Sequence, residues 1–145
     1  MTVTEYPVAT TTDLYQQVQQ FYARQMHLLD SGKAELWADT FTRDGVFAAN
    51  AHPQPAVGRA VIAASARKAT DEYAAKGVQR RHWLGMLSVE DHGDRVSARC
   101  YALVVETPRG GQAAIRASTL CEDVLVRHEG GWLVRDRHVT RDDLV

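Results

Sequence analysis

Apolar side chains recur every three or four residues from Leu14 onward. The series is Leu14, Val18, Phe21 and Leu28, with Gln25 in the same register and Tyr15, Tyr22, Met26 and Leu29 beside it. That period places them on one face of an α-helix. Thr12 or Asp13 can cap its start, and Ser31-Gly32 can stop it. The face is wider than a surface helix needs, so the helix is expected to cross a sheet or to wall a cavity. A short helix is predicted over 33–40, with Leu36 and Trp37 turned inward. Asp44-Gly45 reads as a turn and 46–49 as a short strand. Residues 50–58 read as a loop, and an Ala-rich helix is predicted over 59–76, ended by Gly77.

Beyond Gly77 the chain becomes β-rich. Asp91-His92-Gly93-Asp94, Pro108-Arg109-Gly110-Gly111 and Glu129-Gly130-Gly131 are turn signals separating runs at about 79–90, 95–107, 112–127 and 132–140. An antiparallel meander follows, with strands long enough to require bends or bulges. Helices first and a curled sheet afterwards give an α+β domain with a concave interior, a natural small-molecule site. Residues 1–11, rich in Thr and Val, read as a flexible arm before a single domain at 12–145. Val104 with Val105, and Val124, Leu125 and Val126, put apolar side chains on both faces of their strands. One face can line the interior and the other can meet a second subunit, so a homodimer is expected.

Composition narrows the function by exclusion. The chain has 145 residues, 45% hydrophobic, enough for one core but poor support for two. Lys plus Arg is 17 against 18 for Asp plus Glu, which gives no net pull toward nucleic acid or an anionic membrane. No apolar run approaches the roughly 20 residues of a membrane span. The first residues lack the pattern of a signal peptide, and the two cysteines, Cys100 and Cys121, form no Cys-x-x-Cys pair. A cytoplasmic protein is expected. There is no dinucleotide fingerprint, phosphate-binding loop, His-Glu-x-x-His motif or nucleophile elbow. What remains is acid–base chemistry by His, carboxylate and Tyr, with neither cofactor nor metal.

His82 stands out. Alternation puts it on one face with Leu84 and Met86, where an imidazole is costly without a partner. It is either a structural histidine bonded to the backbone or a general base in the cavity. Asp30 ends the first helix, where the dipole disfavours a carboxylate by roughly 0.3–1 kcal/mol. It either caps the next helix or orients His82 and raises its basicity. Tyr22 and Tyr101 are candidate hydroxyl donors. Asp136 and His138 share one face of the last strand and Arg135 and Arg137 the other, a pattern that surface ion pairs explain. His27, His52, His92 and His128 read as solvated or turn positions, and Cys121 as a core thiol.

Tyr22-Ala23, Leu28-Leu29-Asp30-Ser31-Gly32 and Phe41-Thr42-Arg43-Asp44-Gly45-Val46-Phe47 together resemble the opening of SnoaL-like proteins. Glu129-Gly130-Gly131-Trp132-Leu133-Val134, with Arg137, resembles their ending. These proteins belong to the nuclear transport factor two-like superfamily, and the likeness spans nearly the whole chain. It implies a cone-shaped, curved antiparallel sheet closed by N-terminal helices. Within the superfamily the chain looks closest to scytalone dehydratase and to β subunits of ring-hydroxylating dioxygenases. It is also similar to accessory proteins of actinomycete aromatic-polyketide pathways, including those acting on actinorhodin-type intermediates. The dehydratase likeness implies an Asp–His pair at Asp30 and His82. Where that group carries a tyrosine, a second histidine, a serine and an asparagine, this chain has Leu29, Thr107, Thr119 and Cys121. The expected cavity lining is Trp37, Phe47, Leu84, Met86, Thr107, Thr119 and Cys121.

Three functions fit this reading. In one, the protein binds a polycyclic aromatic polyketide intermediate and promotes dehydration, cyclisation or isomerisation. His82 is then the base, Asp30 its orienter, and Tyr22 or Tyr101 the donor to oxygen. In the second, the protein binds without catalysis, sheltering a reactive intermediate or delivering it to an enzyme. The third is a subunit of a larger oxygenase.

Overall fold

The computed structural model describes residues 11–145. Nearly all of the expected N-terminal arm lies outside them. Helix α1 spans Thr11–Asp30, α2 Ala34–Ala38 and α3 Arg59–Ala75. The strands are β1 Phe41–Ala49, β2 Ala56–Val57, β3 Val78–Asp91, β4 Val96–Pro108, β5 Ala114–His128 and β6 Gly131–Arg141. A single helical turn, Asp142–Leu144, ends the chain. Among the described residues no helix is long and apolar enough to cross a membrane.

The α+β class is as expected, and β3 to β6 form the antiparallel meander. The full strand order is β2-β1-β6-β5-β4-β3. β1 runs parallel to β6, so the sheet is mixed. No ladder joins the outer strands β2 and β3, so the sheet curves without closing into a barrel. Asp44-Gly45 is not a turn between elements. It lies inside β1, where the register against β6 shifts between Phe41 and Val46.

The core lies between α1 and the inner face of the sheet. Leu14, Val18 and Tyr22 meet Phe41, Val96, Ala98, Leu125 and Val134 there, all nearly without exposure. In α2, Trp37 is buried edge-on to Phe41, with ring centroids 5.0 Å apart. Leu36 was expected inward but is 53% exposed, because one helical step of about 100° carries it past the buried face.

A polar chain runs through this core. Arg137 donates to both carboxylate oxygens of Asp123, from Nε at 2.9 Å and from Nη2 at 2.8 Å. The same Nη2 donates to Gln25 Oε1 at 2.8 Å. Tyr22 donates its hydroxyl to Asp123 Oδ2 at 2.5 Å, and Gln25 Nε2 donates to Thr40 Oγ1 at 2.6 Å. Asp123 and Arg137 are each 4% exposed and Gln25 is fully buried. Burial, reinforced by the Asp123 carboxylate, holds the Tyr22 hydroxyl well above the ordinary phenol range, so it remains a donor. Burial opposes the charge of Arg137, but Asp123 beside it overrides that and raises its pKa. Arg137 is therefore not the surface residue its spacing suggested, whereas Arg135 and Asp136 do form an exposed pair at 3.1 Å.

Breaking a buried pair leaves the survivor's charge uncompensated. Asp123→Ala is expected to lose about 3–5 kcal/mol. Tyr22→Phe, which deletes one hydrogen bond to a charged acceptor, is expected to lose about 1.5–3 kcal/mol. Urea unfolding of both variants checks this. Wild-type stability for Asp123→Ala would show that the chain of bonds contributes nothing.

Candidate functional site

Between the inner face of the sheet and the three helices lies a cavity of about 850 Å³. Its inner wall includes Trp37, Phe47, Ile62, Leu84, Ala102 and Cys121. The space exists because α3 turns small side chains toward it: Ser65, Ala66, Ala69 and Thr70, at helical spacing. Ile62 is the one residue of α3 that is fully buried. Polar contacts at the rim hold α3 in place. Arg67 reaches Glu35 at 2.6 Å and the Gly32 carbonyl at 3.0 Å, and Arg59 Nε reaches the Phe41 carbonyl at 2.9 Å.

Asp30 enters this cavity from the end of α1. The helix stops there because Gly32 takes a left-handed φ of +82°, while the Lys33 N–H closes on the Leu28 carbonyl at 2.9 Å. Across the gap lies β3, the outermost strand on that side of the sheet. Asp30 Oδ2 accepts the backbone N–H of His82 at 3.0 Å, and Oδ1 lies 2.6 Å from His82 Nδ1. The two bonds offset the unfavourable helix-end position of the carboxylate. They also fill part of an otherwise unpaired strand edge. The Asp30 side chain is 7% exposed and the His82 side chain 19%. A carboxylate accepting from Nδ1–H leaves Nε2 as the basic nitrogen.

Trp37, Phe47, Leu84, Thr107, Thr119 and Cys121 all line the cavity. Met86 does not. A bulge between Gly85 and Ser88 interrupts the alternation of β3, and Met86 adopts φ 53° and is 78% exposed. Tyr101 does not line the cavity either. It faces outward from β4 between the buried Cys100 and the inward Ala102, and is 59% exposed. Tyr22 is inside the protein but bonded to Asp123, so neither tyrosine can donate to a ligand oxygen. The Thr119 hydroxyl is also engaged, donating to the Ala102 carbonyl at 2.9 Å. The Cys121 thiol is pushed well up by its contact with Cys100 and by burial, and stays protonated.

The tyrosine that does stand on the wall is Tyr73, which sequence reasoning missed. Its hydroxyl makes no hydrogen bond among the described residues. Its signal was present in the spacing of Ile62, Ala66, Ala69 and Tyr73 along one face of α3. His52 was expected to be merely solvated; it is exposed, yet it also lines the cavity. No group of three His, Cys, Asp or Glu among the described residues could hold a metal ion.

Three solved structures share this architecture. Aln2 from a Streptomyces species is 36% identical with a TM-score of 0.86, the match covering 93% of this chain and 95% of that one. ActVI-ORFA from Streptomyces coelicolor is 36% identical with a TM-score of 0.83, covering 90% and 96%. A protein of Catenulispora acidiphila in complex with S-DNPA is 41% identical with a TM-score of 0.79, covering 91% and 96%. No curated protein matches the chain. The SnoaL-like domain model matches residues 10–138, and the chain belongs to the SnoaL-like family.

Proposed function

We propose that this protein binds an aromatic polyketide intermediate in its cavity and promotes dehydration, cyclisation or isomerisation by proton transfer. The observation that carries the proposal is the Asp30–His82 contact of 2.6 Å on the wall of a largely apolar hollow of about 850 Å³. The likeness to Aln2 and ActVI-ORFA supports the class of ligand.

The chemistry follows from the groups present. A C–H beside a carbonyl is acidic because its conjugate base is an enolate. His82 Nε2 removes that proton, and Asp30 stabilises the imidazolium that forms. The Tyr73 hydroxyl, in place of Tyr22 or Tyr101, donates to the enolate oxygen. The His82 imidazolium then gives its proton to a hydroxyl on the β carbon, whose C–O bond breaks to release water as the enolate collapses to the unsaturated ketone, or it returns the proton at another carbon. The rigid Asp30 bonds keep the imidazole in one orientation and tautomer. The setting is the cytoplasm, and neither metal nor cofactor takes part.

A second reading has one observation in its favour. The Thr119 hydroxyl is spent on the backbone and Cys121 is a protonated thiol, so neither of these two residues of β5 offers a ligand a free hydroxyl. A sheltering protein needs no more than that.

2-Tetralone, a bicyclic ketone with acidic C–H bonds, separates the two readings. Wild-type protein is expected to accelerate exchange of those hydrogens with D₂O, followed by NMR at neutral pH. His82→Ala is expected to lose about 10²–10⁴-fold of the acceleration. Asp30→Asn is expected to lose most of it while still binding. Binding without accelerated exchange in the wild type would overturn catalysis and favour shelter.

We also propose that a second copy covers the outer face of the sheet. Trp83 is 70% exposed, Tyr101 59% and Ile115 65%. The ladder brings their rows together: Trp83 opposes Leu103, Tyr101 opposes Gly85 and Leu120, and Ile115 opposes Val105. A single continuous apolar patch of this kind suits a two-fold contact in which the same patch meets itself. Light scattering at micromolar concentration is expected to give a dimer for the wild type and a monomer for Trp83→Glu. A monomeric wild type would refute it.

A further inference from the structure

The chain has two cysteines, and the fold sets them against each other. Cys100 of β4 and Cys121 of β5 are direct partners in the antiparallel ladder, so both side chains leave the sheet on the same face. That face is the inner one: Cys100 is 1% exposed and Cys121 4%. A hydrogen bond between the two thiols holds Cys100 below the ordinary thiol range and, together with burial, holds Cys121 well above it. Cys121 Sγ also lies 3.5 Å from Asp123 Oδ1, a second acceptor for its proton. Neither thiol takes part in the proton transfer assigned to His82.

Directly opposed residues of an antiparallel pair have Cα atoms about 4.5 or 5.5 Å apart, and a disulfide accepts about 4.4–6.8 Å. Both spacings qualify, so a bond needs no rearrangement of the ladder. The neighbours leave the sulfurs room to turn, because Ala98 and Ala102 flank Cys100 on the inner face of β4. Opposed Cβ atoms stand about 4.5–5.5 Å apart, against about 3.8 Å across a relaxed disulfide, so closure puts the bond under tension. Tension makes a disulfide easy to reduce, which is the property of a responsive pair and not of a permanent staple. Cys121 lines the cavity, so a small oxidant that enters the hollow meets the pair there.

We propose that Cys100 and Cys121 are a reversible, peroxide-sensitive modification site in the cavity wall, closing to an intramolecular disulfide. One sulfur, as the thiolate, attacks a peroxide oxygen, and the hydrogen bond from Cys121 favours Cys100 in that role. The O–O bond breaks, and the departing hydroxide takes the thiol's proton to become water. The second sulfur then attacks the sulfenic sulfur, the S–O bond breaks, and its own proton leaves with that oxygen as a second water. Two thiols are oxidised by two electrons and one peroxide is reduced. Closure removes the Cys121 proton from beside Asp123, which ties the state of the wall to the buried pair that holds α1. The reaction needs no aromatic ligand.

The test treats the reduced, native full chain with excess hydrogen peroxide, then unfolds it in iodoacetamide, which caps any thiol that remains. The cysteine peptides are weighed by mass spectrometry, so oxidation of methionine does not interfere. The wild type is expected to lose nearly all capping at both cysteines and to yield one cross-linked peptide pair lighter by two hydrogens. Dithiothreitol added before capping is expected to restore both capped thiols. Cys100→Ala and Cys121→Ala are each expected to give no cross-linked pair within the chain, the surviving thiol being capped or carrying added oxygen. Two capped thiols in the treated wild type, or oxygen added to either sulfur with no cross-link, would overturn the proposal. So would a bond that forms only when urea is present, since the cysteines then meet in an unfolded chain.

Discussion

The contact between Asp123 and Arg137 is the constraint on which this architecture turns. Neither charge could be buried alone, and each is satisfied by the other and by residues from distant parts of the chain. Tyr22 and Gln25 bring α1 to the sheet, and Thr40 brings in the connection after α2. The bonds are directional, so they set the height and rotation of α1 as well as its attachment. Apolar packing of Leu14 and Val18 could tolerate a slip along the helix. The hydrogen bonds of Tyr22 and Gln25, three residues apart, could not.

That fixed helix is what delivers Asp30. The carboxylate sits at the last residue of α1, one turn and a half beyond Gln25, and its position is inherited from the buried bonds. It meets a β3 whose register is fixed by its ladder with β4, in which His82 opposes Val104. Two elements with no freedom to shift present two side chains that face each other. The carboxylate and the imidazole are thus held by regular structure and not by a loop.

Much of this was legible from residue order. The period of α1, the Gly32 stop and the strand alternation around His82 placed Asp30 and His82 independently. Their meeting depended on tertiary geometry and on resemblance. The errors have physical causes. Met86 was misplaced because one bulge reverses the inward and outward sense of a strand, and no residue type marks it. Tyr101 was misplaced because an aromatic ring reads as interior, whereas strand alternation turns it to the outer face between Cys100 and Ala102. Arg137 looked superficial because its buried counter-charge, Asp123, is fourteen residues away on a neighbouring strand. The parallel pairing of β1 with β6 joins the two ends of the chain, which no local pattern reports.

The shallow seating of α3 has a consequence for how the hollow can be reshaped. This helix supplies one wall of the hollow yet sinks a single side chain, Ile62, into the core. Substitutions along Ser65, Ala66, Ala69 and Thr70 alter the girth and contour of the chamber while leaving the salt-bridged centre untouched. The contour of the chamber on that side is therefore set apart from the buried salt bridge that fixes α1.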